Sequence, residues 1–263
     1  MLEHYLSIKN KLQDTSIKDI IYLDYVDSTN DYAHMLAIQG YPSGTVVVAN
    51  RQLKGRGRQH NKWYSPQGNL YASILLKPKD INLEISAIIP AFTYLGAISS
   101  VCAISGVYNV KTTLKWPNDI VFKDRKLGGV LTEARISGNE IVFVIIGIGL
   151  NVNIDMSAFP EDIVQRVISL SHICGKVLDI PTLLLNILIK FDDFYKQIKT
   201  EGLAPIINVW LQNSSTLQRN VRVVDGDILY EGIAEGLDDM GRLLIRDFNG
   251  KIFHLSNGHL YFL

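Results

Sequence analysis

From Ile85 to Val110 the chain carries no charged residue. A run of that length can be hidden from water in two ways, across a bilayer or as the central helix of a protein core. Pro90, Gly96 and the hydroxyl-bearing Ser86, Thr93, Ser99, Ser100 and Ser105 interrupt it, and no aromatic-and-basic flanks mark membrane interfaces. These residues favour the core helix, centred on Ile88–Ile104, so the fold has to be assembled around one long apolar rod. Met1–Gln13 is charged and lacks the apolar centre of a signal peptide. No membrane partner is therefore expected.

With 263 residues, 47% hydrophobic and 20% charged, the chain can bury a large core and has room for one large domain, or a large one and a small one. Its 26 basic residues are matched by 26 acidic ones, which argues against a general nucleic-acid binder and makes any cationic cluster a local device. Cys102 and Cys174 have no metal or redox spacing, so reduced thiols and a cytoplasmic location are expected. The six histidines fall in no ligand spacing, and no protein-held metal is expected.

The pattern before the long helix reads as a strand over Ile20–Val26, a helix from Ser28-Thr29-Asn30-Asp31 to about Gln39, and buried strands over Thr45–Ala49 and Leu70–Leu76. After it, Thr113–Trp116, Ile120–Phe122, Gly129–Ala134 and Ile141–Ile148 read as strands with short turns. Strands and helices do not alternate strictly, so the expected class is α+β with an antiparallel or mixed sheet. Helical periodicity returns in Ile163–Ile173 and Pro181–Ile198. From about Arg219 the texture changes to short strands, Val221–Val224, Leu229–Ala234, Leu243–Asp247 and Lys251–Leu255, with Asn249-Gly250 as a tight-hairpin signal. A small terminal β-barrel over 216–263, following a domain over 1–215, is the expectation.

Three motifs could carry chemistry. Gln52-Leu53-Lys54-Gly55-Arg56-Gly57-Arg58, running on to Lys62-Trp63, joins two strands and sets cations around glycines. Glycine permits positive φ and close backbone approach, and arginine offers a planar fork of donors for carboxylate or phosphate oxygens. No Gly-Lys-Ser/Thr leads into a helix, so this is not a phosphate loop of the NTPase kind. Lys115-Trp116-Pro117-Asn118-Asp119 puts a lysine at a strand end before a proline, and Lys126-Leu127-Gly128-Gly129 puts another at a hairpin. Taken singly, each also reads as an ordinary surface loop, strand edge or turn.

Together, and with Ser28-Thr29-Asn30 and Gly147-Ile148-Gly149-Leu150-Asn151, these motifs resemble in order and spacing those of the biotin protein ligases, or biotin-[acetyl-CoA-carboxylase] ligases. The resemblance implies an α+β catalytic domain shared with lipoate ligases and a carboxy-terminal SH3-like barrel. It also implies two half-reactions. Biotin and MgATP give biotinyl-5′-adenylate, and a lysine of a biotin carboxyl carrier domain then displaces AMP. Some members carry an amino-terminal winged helix-turn-helix; with about twenty residues before the first strand, the monofunctional type is expected here.

Carried over residue by residue, the resemblance assigns Ser28, Thr29, Asn30, Gln52, Gly55, Arg56, Lys126 and Gly129 to biotin. It assigns Arg56, Arg58, Trp63, Lys115, Asn118 and Asn151 to the nucleotide, with Arg58, Lys115 and Lys126 catalytic. Magnesium would arrive with the nucleotide phosphates. Many members continue with a further Gly-Arg pair where Gln59-His60-Asn61-Lys62 stands here, and Asn257-Gly258-His259 replaces an acidic end common in the terminal barrel. Members often dimerise through a sheet edge. Ile141–Ile148 is a candidate edge, a central buried strand being the other reading of the same residues. The competing functional readings are a lipoate or octanoate ligase and a non-catalytic biotin-binding regulator.

Overall fold

The structure, a computed structural model, describes residues 2–78, 81, 83–138, 140–155, 157 and 161–263. The apolar run forms α3 (Ile85–Tyr108), after α1 (Leu2–Asn10), β1 (Asp19–Leu23), α2 (Thr29–Ile38), β2 (Thr45–Ala49) and β3 (Leu70–Leu76). α3 is long and apolar enough to cross a membrane. Here it lies in the main core, with Ile88, Phe92 and Leu95 fully buried.

β4 (Thr113–Lys115), β5 (Asp119–Phe122), β6 (Arg125–Ser137) and β7 (Glu140–Leu150) complete a seven-stranded sheet in the order β1-β2-β3-β7-β6-β5-β4. β1 and β2 are parallel and every other pair is antiparallel, so the sheet is mixed. Side chains alternate across a strand, and this sheet uses both faces. Val46, Val48, Ile74, Leu76, Val144, Ile146 and Ile148 pack in the core around α3. Val47, Leu75, Phe143 and Ile145 meet Ala33, Leu36 and Ala37 of α2 on the other face. Burial on both faces explains why these strands read as continuous apolar runs.

It also settles the position of Ile141–Ile148. Within β7, Val144–Leu150 is paired with β3 on one side and β6 on the other. From Val144 on the run is a central strand, whereas Ile141–Phe143 pairs with β6 alone; the outer strands of this sheet are β1 and β4.

The periodicity of Ile163–Ile173 predicts one helix, but two short ones form, α4 (Glu161–Val164) and α5 (Leu170–Cys174). The backbone between them is taken by β6: Lys126 N donates to Arg166 O at 2.7 Å, and Ile168 N donates to Lys126 O at 2.9 Å. Ser169 then caps α5 by accepting from His172 N. α6 (Ile180–Glu201) begins at the Asp179 cap and is followed by α7 (Ala204–Asn213), for which the pattern gave no expectation. α7 buries Ile206, Ile207 and Trp210, the last 5.2 Å from the Tyr94 ring of α3.

The terminal region is a five-stranded antiparallel sheet of β8 (Asn220–Asp225), β9 (Ile228–Leu237), β10 (Leu243–Arg246), β11 (Ile252–Leu255) and β12 (His259–Phe262), ordered β11-β10-β9-β8-β12. The Asn249-Gly250 turn is wider than a two-residue hairpin. Asp247 Oδ1 accepts from both Asn249 N and Lys251 N, and Gly250 takes φ 85°. The β9–β10 turn seats this sheet on the core, where Tyr94 of α3 donates to Gly241 O at 2.7 Å.

Asp192 on α6 is 2% exposed. It accepts from Ser16 N at 2.7 Å and pairs with Lys196 at 2.7 Å, tying the segment before β1 to the helical layer. Burial raises its pKa, but the Lys196 and Ser16 bonds outweigh that and hold it below the usual carboxylate range. Its stabilisation is therefore complete above the unfolded-state value near pH 4 and is lost as pH falls through the lower folded-state value. Asp192→Ala is expected to destabilise by about 1–3 kcal/mol at pH 7 and by less in acid. Urea denaturation at the two pH values checks this; an equal loss at both would contradict it.

Candidate functional site

A cavity of about 640 Å³ opens on the α2 face of the large sheet, at the first turn of α2. Its floor follows from strand register: Tyr71, Gly149 and Gly129 form one cross-strand row, and Ser73, Gly147 and Leu131 the next. Positions that carry Leu75 and Ile145 one row further are thus replaced by glycine and hydroxyl. The two β7 glycines leave room for specific neighbours. A Cβ on Gly147 would lie 2.2 Å from Asn30 Oδ1, and one on Gly149 would lie 2.8 Å from the Trp63 indole nitrogen.

One wall is the start of α2. Ser28 is its N-cap, accepting from Asp31 N at 3.4 Å. Thr29 donates to Gln52 Oε1 through its backbone N at 2.8 Å and its hydroxyl at 3.1 Å, and Gln52 donates to Ser65 Oγ at 2.9 Å. Asn30 donates to Glu133 at 2.7 Å and Leu131 O at 3.2 Å, while Ser73 Oγ lies 2.7 Å from Asn30 Oδ1. Ser28, Thr29 and Asn30 are all at least 96% buried, so this polar set is held with its partners already made.

The glycine-arginine loop forms a further part of the wall, joined to the start of α2 through Gln52 and Arg56. It folds as a small hairpin in which Gly57 N donates to Asn61 O at 2.7 Å and Trp63 N to Gly55 O at 2.9 Å. The left-handed residue is Gln59, at φ 51°, and neither Gly55 nor Gly57 has positive φ. Gly55 is required by space instead, since a Cβ there would lie 2.6 Å from Trp63 O. Gln59 stands where a glycine would cost less.

Four cations expected to share the site do line it, alongside Lys62 and Arg166, and those four are held in three ways. Arg56 bonds Glu133 with both terminal nitrogens, at 3.0 and 3.2 Å, and also bonds Asp31. Arg58 donates to Asn118 Oδ1 and Gly258 O, both at 3.3 Å, and to Asn257 of the terminal sheet. Lys126 pairs with Asp119 at 2.6 Å and sits 5.3 Å from the Trp63 ring centre. Lys115 lies over Phe262, 4.8 Å from the ring centre. Burial lowers the pKa of both Arg58 and Lys115; Asp119 opposes this in each case, and Lys126 and Arg219 add to it at Lys115.

Asn118 also donates to Val130 O at 2.7 Å. Gly55 and Asn151 do not line the cavity. Asn151 is buried just past the end of β7, where its side chain donates to Ile168 O. Residues that motif reading passed over include Tyr71, Arg166 and the terminal Gly258–Tyr261 segment, which line the cavity, and Glu133, which anchors Arg56. Tyr71 and Glu133 are reached through cross-strand register, a long-range property that no local motif carries.

A sheet whose glycine-floored face meets a polar helix cap and a cationic loop has the layout of a ligase that joins two anionic substrates. The family model described as "Biotin/lipoate A/B protein ligase family" matches residues 22–151, and "Biotin protein ligase C terminal domain" matches residues 216–258. The chain is 36% identical over 232 residues to the bifunctional ligase/repressor BirA of Bacillus subtilis, covering 88% of this chain and 70% of that one. It is 31% identical to the biotin-[acetyl-CoA-carboxylase] ligase of Paracoccus denitrificans over 86% of this chain and 93% of that one. The biotin protein ligase of Aquifex aeolicus in complex with biotin and ATP superposes with a TM-score of 0.80 at 32% identity, covering 94% of this chain and 99% of that one. The chain belongs to the biotin protein ligase family.

Asn30 is pinned by its own hydrogen bonds and cannot move aside without losing them. Gly147→Ala is therefore expected to lower biotin affinity by about tenfold or more, equivalent to 1.4 kcal/mol. Calorimetric titration with biotin checks this, and parental affinity would show that the Asn30 network is not part of the binding surface.

Proposed function

We infer that this chain attaches biotin to a lysine of a biotin carboxyl carrier domain through biotinyl-5′-adenylate, with ATP as the second substrate. The observation that carries this reading is a single cavity bounded by both a prearranged polar helix cap and a group of cations that includes Arg56, Arg58, Lys115 and Lys126. In the first step a biotin carboxylate oxygen attacks the α-phosphorus of ATP and pyrophosphate leaves. In the second the carrier lysine amine attacks the acyl carbon, AMP leaves, an amide forms and the amine loses its proton. Neither step needs a covalent enzyme nucleophile.

The chemistry required is the approach of two anions. Arg56, Arg58, Lys115 and Lys126 supply fixed positive charge where negative charge accumulates on the phosphorus oxygens, and in-line positioning contributes about 7–11 kcal/mol in well-oriented systems. The polar set of Ser28, Thr29, Asn30 and Gln52 is assigned to biotin. Lys126 is assigned to the junction of carboxylate and phosphate, and Lys115 and Asn118 to the nucleotide phosphates. Arg58, held by neutral oxygens, exchanges them for the adenylate. Trp63 covers the intermediate against water. Asn118 and Asp119 bring oxygen donors to the cavity, in keeping with Mg2+ entering on the phosphates and taking few protein ligands.

The finer assignments follow the same reading. The acceptor belongs to acetyl-CoA carboxylase or a related carboxylase, residues 1–215 carry both half-reactions, and 216–263 form the second domain. The balanced charge gives no general affinity for nucleic acid, and the free Cys102 and Cys174 suit the cytoplasm. A homodimer built by extending the large sheet would use β1, β4 or the Glu140–Phe143 end of β7, because β7 is internal from Val144 on.

Incubation with an unmodified carrier domain, MgATP and either biotin or lipoate is expected to give one ATP-dependent biotinyl addition by intact mass. Addition of lipoate instead, or of neither acid, would refute the assignment. Lys126→Ala is expected to slow single-turnover pyrophosphate release about 10²–10³-fold, as for loss of one preorganised oxyanion donor; an unchanged rate would remove Lys126 from the chemistry. Arg58→Gly is expected to keep adenylate synthesis measurable while the adenylate dissociates faster, and equal off-rates in variant and parent would exclude that retaining role.

A further inference from the structure

Among the described residues, Arg56 and Lys126 bond to carboxylates and Arg58 to neutral oxygens, whereas Lys115 has neither an ion pair nor a side-chain hydrogen bond. Its contact is the face of Phe262, the penultimate residue of the chain, with Nζ 4.8 Å from the ring centre. The same ring carries the Arg219 guanidinium at 3.3 Å, and Arg219 is tied to Asp124 of the β5–β6 turn at 3.1 Å. Phe262 itself is fixed in β12, opposite the fully buried Val221 of β8.

An aromatic face attracts an ammonium through its quadrupole without accepting one of its N–H groups. A carboxylate would hold the same lysine in place but would occupy a donor and cancel the charge. We propose that Phe262 is a positioning residue for Lys115, holding its ammonium at the cavity wall with all three donors available to a nucleotide phosphate. Arg219 and Asp124 hold the ring. The terminal sheet thereby acts on the nucleotide through Lys115, and Phe262 itself touches no substrate. The proposal rests on the reading of Lys115 as a phosphate-binding lysine.

The test is pyrophosphate release measured over ranges of ATP and of biotin. Phe262→Leu keeps an apolar side chain and removes the ring face. It is expected to raise KM for ATP about three- to tenfold and leave KM for biotin within about twofold, with Phe262→Tyr restoring the ATP value. In a Lys115→Ala background Phe262→Leu is expected to change nothing further. If Lys115→Ala leaves KM for ATP at the parental value, the phosphate-binding reading falls and this proposal with it. If Lys115→Ala raises KM for ATP but Phe262→Leu does not, or the two effects simply add, the positioning role alone is overturned. Trifluorophenylalanine at 262 keeps the shape of the ring and drains its face of electron density. An unchanged KM for ATP in that protein overturns the proposal even where Phe262→Leu fails to fold.

Discussion

The alternation of side chains along β3, β7 and β6 is the constraint on which the rest of the molecule depends. One set of positions, including Ile74, Ile146 and Ile148, must be apolar because it packs against α3. The other set changes character along the strand, from Leu75 and Ile145 under the middle of α2 to Ser73 and Gly147 under its first turn and Gly149 against Trp63. Core and site are thus opposite faces of the same backbone. A shift of register by one residue would turn the glycines into the core and the isoleucines into the cavity, so the hydrophobic pairing that specifies the fold also specifies where ligands can sit.

The cations of the site are stored in three ways, and each has a different energetic consequence. Carboxylate partners lower the cost of keeping Arg56 and Lys126 partly buried, but those bonds must be shared or exchanged when an anion arrives. The neutral oxygens around Arg58 leave its charge uncancelled. Phe262 leaves both charge and donors of Lys115 free. Pairing part of the charge lowers the self-repulsion among these cations in the empty site.

Much of this could be read in advance. The strands Thr45–Ala49 and Leu70–Leu76 and the start of α2 at Ser28 follow from local periodicity and capping, and those signals stay intact because packing agrees with them. The helix over Ile163–Ile173 did not form as one piece because backbone groups of Lys126, distant in sequence, compete for its centre. Asn151 belongs to the same run as Gly147 and Gly149, but it lies past the strand, where its side chain bonds Ile168 O and does not line the cavity. Motif order located the loop and the lysines, whereas their partners Glu133, Asp119, Asn257 and Phe262 are set by tertiary contact. The glycines of the loop offer two properties, positive φ and close backbone approach. Steric room at Gly55 is their structural contribution, and the unusual backbone angle falls on Gln59.

Arg58 reaches across from the large sheet to the Asn257-Gly258 turn, and Lys115 reaches to β12. Anything bound between these groups touches both sheets and favours the docked arrangement over any in which they part. By mass action, occupancy adds RT ln(1 + [L]/Kd) to the stability of that arrangement. A ligand bridging the two sheets would therefore couple their unfolding, and the terminal sheet would gain thermal resistance from it.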